Sequence, residues 1–362
     1  MSLSETLSSL LPSSRARTGG VRLLLDTSGI GGIERHVTVL TAALRRRGVD
    51  ASILRLSDHG DNPWLQQIDA AGIPHAVNTG GAIGLGRRLA SEDVGLLHTH
   101  GYKAGILGRI VARALGIPVV STFHAGETGQ FPVNLYQFAD EWTSALGVRI
   151  AVSPAIASRL PFSSHLIPNF IETPAKPTEA PLPAAIGFVG RLSHEKGPDL
   201  FCQVASRVKA SVGGGSAMPW LVFGDGPMGP DLRRDFCDTV SFRGMVSDIG
   251  QAWREIGLLL MPSRAEGLPM AALEALAAGI PVASARVGAM PDVIRHGENG
   301  WLFDPGDIGA MRAIIGEWSQ RRGVDSTALR RAAWRTAREA FGVESGLDRT
   351  LEAYRDAGFT AV

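Results

Sequence analysis

The sequence predicts an α/β protein made of two doubly wound, parallel-sheet domains, and three observations carry that prediction. Apolar runs of strand length alternate with helix-period segments from end to end, as in strand–helix–strand crossovers rather than hairpins. The alternation breaks once, at P-N-F-I-E-T-P-A-K-P-T-E-A-P-L-P (168–183), whose five prolines fit neither helix nor sheet interior. Finally, 362 residues exceed one ordinary core but suit two domains of roughly 150 to 200 residues. The expected division is a disordered lead-in at 1–19, a first Rossmann-like domain at 20–168, a linker at 169–183, a second domain at 184–340, and a terminal helix at 341–362 that crosses back to the first domain.

In the first half the strands are expected at 20–26, 51–56, 94–99, 118–123 and 148–153, with helices at 34–47 and 104–115. After the linker they are expected at 185–189, 220–223, 239–242, 257–261 and 281–285, and the chain closes with amphipathic helices at 328–341 and 346–357. Doubly wound sheets bind ligands beyond the carboxyl ends of their strands, so the two domains would face each other across a cleft.

Composition narrows the class. Hydrophobic content of 44%, charged content of 20% and a mean hydropathy of +0.08 describe a soluble globular chain with much buried parallel sheet. No run approaches the roughly 20 apolar residues of a spanning helix. The first twenty residues lack a basic stretch ahead of their apolar positions, so no secretory signal is expected. Two cysteines, Cys202 and Cys237, without metal-ligand spacing, read as buried thiols on helices in a reducing compartment, the cytoplasm. A net charge of +1 excludes a large nucleic-acid footprint. Arg45-Arg46-Arg47 and Arg87-Arg88 are the residues that would touch an anionic membrane as a peripheral contact at its inner face; solvated helix ends are the commoner meaning of such runs.

The chemistry concentrates at loops that follow strands. In S-R-A-E-G-L-P-M-A-A-L-E-A-L-A-A-G (263–279), Glu266 and Glu274 stand in an otherwise apolar segment. Ser263 and Glu266 have the spacing of a capping box, but that box would carry Pro269 into the helix interior at a cost of about 3 kcal/mol. A helix starting at Pro269 is expected instead. Glu266 then lies in the loop, free amides of the first helical turn make an anion site, and Glu274 is a buried carboxylate that ligand hydroxyls can satisfy. In G-R-L-S-H-E-K-G (190–197), Arg191 and Lys196 occupy a strand-to-helix turn, as a planar bidentate donor and a mobile point charge suited to a diphosphate.

F-G-D-G-P-M-G (223–229) matches the glycine pattern of a dinucleotide fold. The next strand, however, ends on Arg243-Gly244 without the acid that would hold a ribose, so a dehydrogenase is not expected. In the first domain, T-S-G-I-G-G-I-E-R-H (27–36) offers Gly29, Gly31 and Gly32 for close approach of backbone to ligand. L-H-T-H-G-Y-K-A-G (97–105) and S-T-F-H-A-G (121–126) each end a strand. His98, His100 and His124 do not have a known ligand spacing and no acid accompanies them, so no metal is expected there. For each histidine, a core hydrogen bond and chemistry remain equally open.

Together these residues resemble the retaining nucleotide-sugar glycosyltransferases of the GT-B fold, family 4, over about 20–354. The paired glutamates, G-R-L-S-H-E-K-G and G-D-G-P (224–227) carry the resemblance, supported by P-S-R-A-E-G-L-P and the G-I-P-V segment that follows. It implies that Arg191 and Lys196 hold the donor diphosphate with amides near Gly267 and Leu268. Glu266 would bind hydroxyls of the donor sugar, Glu274 those of the ribose, and the base would lie beside the 243–245 turn, with Arg243 and Met245. Gly190 and Gly224 would line the donor site, Gly31 and Gly32 would approach phosphates or acceptor from the opposite side, and His124 would sit near the anomeric carbon. His100, Tyr102 and Lys103 would face the acceptor. One departure is Phe170 in I-P-N-F-I-E (167–172), where the family often has glycine, which alters hinge freedom.

The implied reaction is transfer from a UDP- or GDP-sugar to a hydroxyl of a glycan, lipid-linked or small-molecule acceptor, with front-face attack and no covalent intermediate. No D-x-D element is present to hold a divalent ion, so no cofactor is expected. A sugar-nucleotide epimerase on the same fold and a non-catalytic nucleotide-sugar-binding protein remain as alternatives. Base, sugar, acceptor and oligomeric state have no signature, and neither does the segment 126–144.

Overall fold

Fully parallel pairing runs through both sheets of the computed structural model, which describes residues 18–27, 29, 31–60, 62–124, 133–211, 218–246 and 249–360. The expected lead-in lies, except for Thr18 and Gly19, outside the described residues. Contact density divides the chain into two compact units. The first comprises the described residues up to His124, Val133 to Ile167, and Glu344 onward; the second spans Pro168 to Val343.

The first unit holds strands β1 (Gly20–Leu25), β2 (Ala51–Arg55), β3 (His75–Val77), β4 (Val94–His100), β5 (Val119–Phe123), β6 (Val148–Ala151) and β7 (His165–Leu166). They lie in the order β3-β2-β1-β4-β5-β6-β7. Every residue of β4 is buried, as expected of a central strand covered by helices on both faces. The second unit holds β8 (Ala185–Val189), β9 (Trp220–Phe223), β10 (Ser241–Gly244), β11 (Ile256–Met261), β12 (Val282–Ala285) and β13 (Gly300–Phe303), in the order β10-β9-β8-β11-β12-β13. Its core is built around Phe188, Phe201, Trp220, Trp301 and Trp318. Strand order reverses once in each sheet, between β1 and β4 and between β8 and β11. Crossovers leave on opposite faces there and open a crevice at the carboxyl ends.

Several expected boundaries are corrected. β3, β7 and β13 were not foreseen: two to four residues carry no readable alternation. β10 begins at Ser241 because the amides of Thr239 and Val240 close the preceding turn onto Phe236. The first helix is Gly32–Arg46, so Gly31 is its extended N-cap and Gly32 its first residue. Pro269 keeps an extended ψ of 126° as N-cap, and the helix is Met270–Ala277, one position later than expected. Cys202 is buried and its thiol is pushed up to about 12 by that burial, whereas Cys237 is exposed, contrary to the buried reading.

The proline-rich segment is irregular but fastened to the second unit. Ile171 donates to the Phe341 carbonyl at 2.8 Å and bridges Gly342. Trp334, Arg338 and Arg330 donate to the carbonyls of Pro174, Ala175 and Pro181, and Phe170 is 1% exposed. The helix Val343–Asp356 contributes to the first unit, where the Tyr354 hydroxyl is 2.8 Å from His98 Nδ1. Among the described residues no helix is long and apolar enough to cross a membrane.

Candidate functional site

In the second unit the loops after β8 and β11 meet at the sheet's reversal point. Glu266 is 6% exposed, and its two carboxylate oxygens are divided between partners: Oε2 accepts from Lys196 Nζ at 2.6 Å and Oε1 from the Ser263 hydroxyl at 2.8 Å. A desolvated carboxylate needs such donors. The Ser263–Glu266 contact is a loop pair rather than a capping box, since the helix starts only at Met270. The loops are clamped further by Arg264, which binds both oxygens of Asp199 at 2.9 and 2.6 Å and the His194 carbonyl at 2.7 Å. This clamp was not read from the sequence; the acid in the first turn of the Pro198–Ser211 helix was its only signal.

Close backbone packing sets the loops' approach. Gly197 has φ +69°, and a Cβ there would lie 2.2 Å from the Pro262 carbonyl oxygen, so only glycine lets Lys196 come down beside the Glu266 loop. Gly224, at φ +136°, would place a Cβ 2.0 Å from the Gly190 carbonyl oxygen. That contact joins the ends of β8 and β9, and the Gly224 amide donates to Gly244 at the end of β10. The glycines of G-D-G-P thus serve backbone packing. Asp225 accepts from the Gly226 amide and Arg233, which locks the turn locally.

Arg191 is exposed beside Gly190, with no ion-pair partner among the described residues. Arg243 pairs with Glu255 at 3.3 Å, and Met245 is half exposed. Gly267 and Leu268 precede the Met270–Ala277 helix, held by Ala289 donating to the Gly267 carbonyl and Asn169 to that of Leu268. Glu274 is 8% exposed on that apolar helix, as expected. Lys196 and Glu266 are therefore in direct contact, while Glu274 lies on the adjoining helix.

In the first unit the ends of β1, β4 and β5 carry the predicted polar residues. Leu25 pairs with His100 in register, and His100 with Thr122. Lys103 Nζ is 3.2 Å from Asp26, which His59 also contacts at 2.9 Å. Burial pushes the Asp26 carboxyl upward, but hydrogen bonds from His59 and Lys103 outweigh it and hold the group below its usual range. Tyr102 stacks on Tyr136 with 6.0 Å between ring centres. Beside Gly31, Glu34 turns back to accept from the Thr27 hydroxyl, and burial raises its carboxyl.

The histidines separate into two kinds. His98 has both nitrogens engaged, by Tyr354 at 2.8 Å and Thr122 at 2.7 Å, and is a satisfied core residue. His100 Nδ1 meets His124 Nε2 at 3.1 Å, and His36, from the helix after β1, lies with its ring centre 5.0 Å from that of His124. His36 was not singled out in the sequence because 64 residues separate it from His100. Burial lowers His36 to about 4 and holds His98 and His100 well below the usual imidazole range.

Each half of the chain matches a known protein family. Residues 30–174 match the family described as Glycosyltransferase Family 4, and 183–320 match Glycosyl transferases group 1. The chain is 24% identical over 401 aligned positions to a D-inositol 3-phosphate glycosyltransferase of Streptomyces scabiei, covering 91% of this chain and 87% of that one. It is 25% identical over 351 positions to a 2-deoxystreptamine N-acetyl-D-glucosaminyltransferase of Streptomyces fradiae, covering 81% and 83%. Among solved structures, Anabaena HepE in complex with UDP and glucose superposes with a TM-score of 0.79 at 19% identity, covering 93% of this chain and 99% of that one. With glycosyltransferase families matched on either side of the proline-rich segment and two parallel sheets of the GT-B kind, the chain is an enzyme that belongs to the group 1, family 4 glycosyltransferases.

Proposed function

We propose that the protein is a retaining, metal-independent glycosyltransferase that moves a sugar from a nucleoside-diphosphate sugar to a hydroxyl of a glycan, lipid-linked or small-molecule acceptor. The observation that carries this reading is the Lys196–Glu266 contact at the reversal point of the second sheet. It puts an ammonium beside a carboxylate whose remaining lone pairs suit sugar hydroxyls. Arg191, Lys196 and the amides of Gly267 and Leu268 take up the charge that develops on the departing diphosphate. Glu274 holds the ribose, and the 243–245 turn receives the base. His124, with His100 behind it, serves the anomeric centre, while Tyr102 and Lys103 face the acceptor. Among the described residues neither unit offers an evident nucleophile, which favours front-face attack. The UDP complexes of structural neighbours favour uridine as the base. Free Cys202 and Cys237 suit a reducing, cytoplasmic setting, and the arginine runs are where a peripheral membrane contact would form.

A thermal-shift panel of UDP, GDP and ADP tests the donor assignment. UDP at one hundred times its Kd is expected to stabilise the protein by about 2.7 kcal/mol. Absence of a shift with any diphosphate would overturn the reading. Conversion of a UDP-sugar to its epimer without acceptor would replace it with the epimerase, and binding without transfer or slow donor hydrolysis would indicate a silent binding protein.

A further inference from the structure

Three imidazoles converge at the reversal point of the first sheet from three separate elements. His36 comes from the Gly32–Arg46 helix, His100 ends β4, and His124 follows β5. One ring nitrogen from each lies within 4.8 Å of the other two. Ring centres are 5.7 Å apart for His36 and His100, 5.0 Å for His36 and His124, and 5.4 Å for His100 and His124. Tetrahedral zinc, with bonds to nitrogen of about 2.0 to 2.1 Å, sets its ligand nitrogens about 3.4 Å apart. The 3.1 Å between His100 Nδ1 and His124 Nε2 is already close to that spacing.

The hydrogen bonding of the cluster is incomplete where that of its neighbour is not. Both nitrogens of His98 are bonded. His100 Nε2 is buried and has no hydrogen-bond partner among the described residues. Whichever tautomer His100 adopts, that nitrogen is a bare lone pair or an unmatched N–H, and leaving it so is unfavourable. An orphaned buried nitrogen marks this group of three imidazoles as short of polar partners. Among the described residues no carboxylate belongs to the cluster, and an all-imidazole set with nitrogen donors selects zinc, copper or nickel over magnesium and calcium.

We propose that His36, His100 and His124 form a three-imidazole site for one divalent transition-metal ion of the zinc class, with its fourth position open, and that occupancy inhibits sugar transfer by holding His124 on the metal. The ion is a regulator and not a cofactor. The sequence objection concerned His98, His100 and His124; folding replaces His98 with His36 and supplies a set that linear spacing does not show. Burial keeps His36 and His100 neutral, so protons do not compete for their lone pairs near neutral pH. The His98 ring, 4.2 Å from that of His100 and pinned by Tyr354 and Thr122, buttresses His100 from behind. The inhibitory half rests on the proposed role of His124; the binding half does not.

The test uses the full-length chain stripped with a chelator. Titration with cobalt(II) is expected to give one equivalent bound, with the intense visible bands of a four- or five-coordinate nitrogen site, and zinc should displace it. His36→Ala should weaken cobalt binding at least tenfold, while His59→Ala and His165→Ala leave it unchanged. If the wild-type chain takes up no stoichiometric metal, or if His36→Ala binds as tightly as wild type, the site is refuted; the wild-type titration decides the matter even if the variant fails to fold. Equimolar zinc is expected to suppress transfer at least tenfold and chelator to restore it. Zinc bound without loss of turnover overturns the inhibitory half alone. A metal-free enzyme inactive with every donor counts against the proposed function and leaves the cobalt titration to judge the site.

Discussion

The Lys196 ammonium donates to the Glu266 carboxylate at 2.6 Å, which fixes a positive charge at the end of the strand-to-helix turn where the donor diphosphate is proposed to sit. Lys196→Ala is expected to lower kcat/KM for the donor by about ten- to a hundredfold, the worth of a charge-assisted contact of 1.5 to 3 kcal/mol. Near-normal kinetics would refute the diphosphate role. Glu274→Ala should instead raise the donor KM with little change in kcat, because ribose contacts are the same in ground and transition states; an unchanged KM in a folded variant would contradict that placement. At this scale the sequence named both glutamates and both cations of the second unit. It did not reveal that Lys196 touches Glu266, that Arg264 grips Asp199, or that His36 joins His100. Those partners lie far apart in the chain and meet only because particular strands are neighbours in the sheets.

The helix Tyr102–Ala114 shows how an element can be fixed by a charge. Arg109 is fully buried within it and donates to the Ser121 hydroxyl at 2.9 Å, the Asp140 carboxylate at 2.5 Å and the Thr143 hydroxyl at 2.7 Å. It thereby ties this helix to β5 and to the helix Val133–Thr143. Removing one partner of a buried pair strands the other, so Arg109→Ala should lower stability by about 3 to 5 kcal/mol in urea unfolding; a loss below about 1 kcal/mol would show that the pair contributes little. Elements of this length were legible from their periodicity. β3 and β7 were not, because strands of three and two residues present no pattern and exist only by pairing with a longer neighbour. The Pro269 boundary moved by one because proline fixes φ but leaves ψ to the loop.

Across the whole molecule the buried histidines make stability depend on pH. His36, pushed down to about 4 by burial, and His98 and His100, lowered for the same reason, take up protons near pH 6.5 only when the chain unfolds. The unfolded state therefore binds more protons between pH 6.5 and 4: the stabilisation is complete above 6.5 and is lost as pH falls through that window. His36 alone is worth about 3 kcal/mol over the full interval. With chelator present, urea midpoints should fall from pH 7 to pH 5, and less steeply in His36→Gln; equal midpoints would contradict neutral burial. The fold class was readable from alternation alone, whereas the membership of Glu344 onward in the first unit is a matter of packing. That membership bears on biosynthesis. The second unit is, in chain order, an insertion within the first, and Tyr354, which pins His98, is translated after the whole of that second unit. A nascent chain can finish its second half before its first. Until the helix Val343–Asp356 has left the ribosome, the unit begun earliest stays incomplete at the strand that carries His98 and His100, so that strand gains its last packing partner only after the second unit has been made.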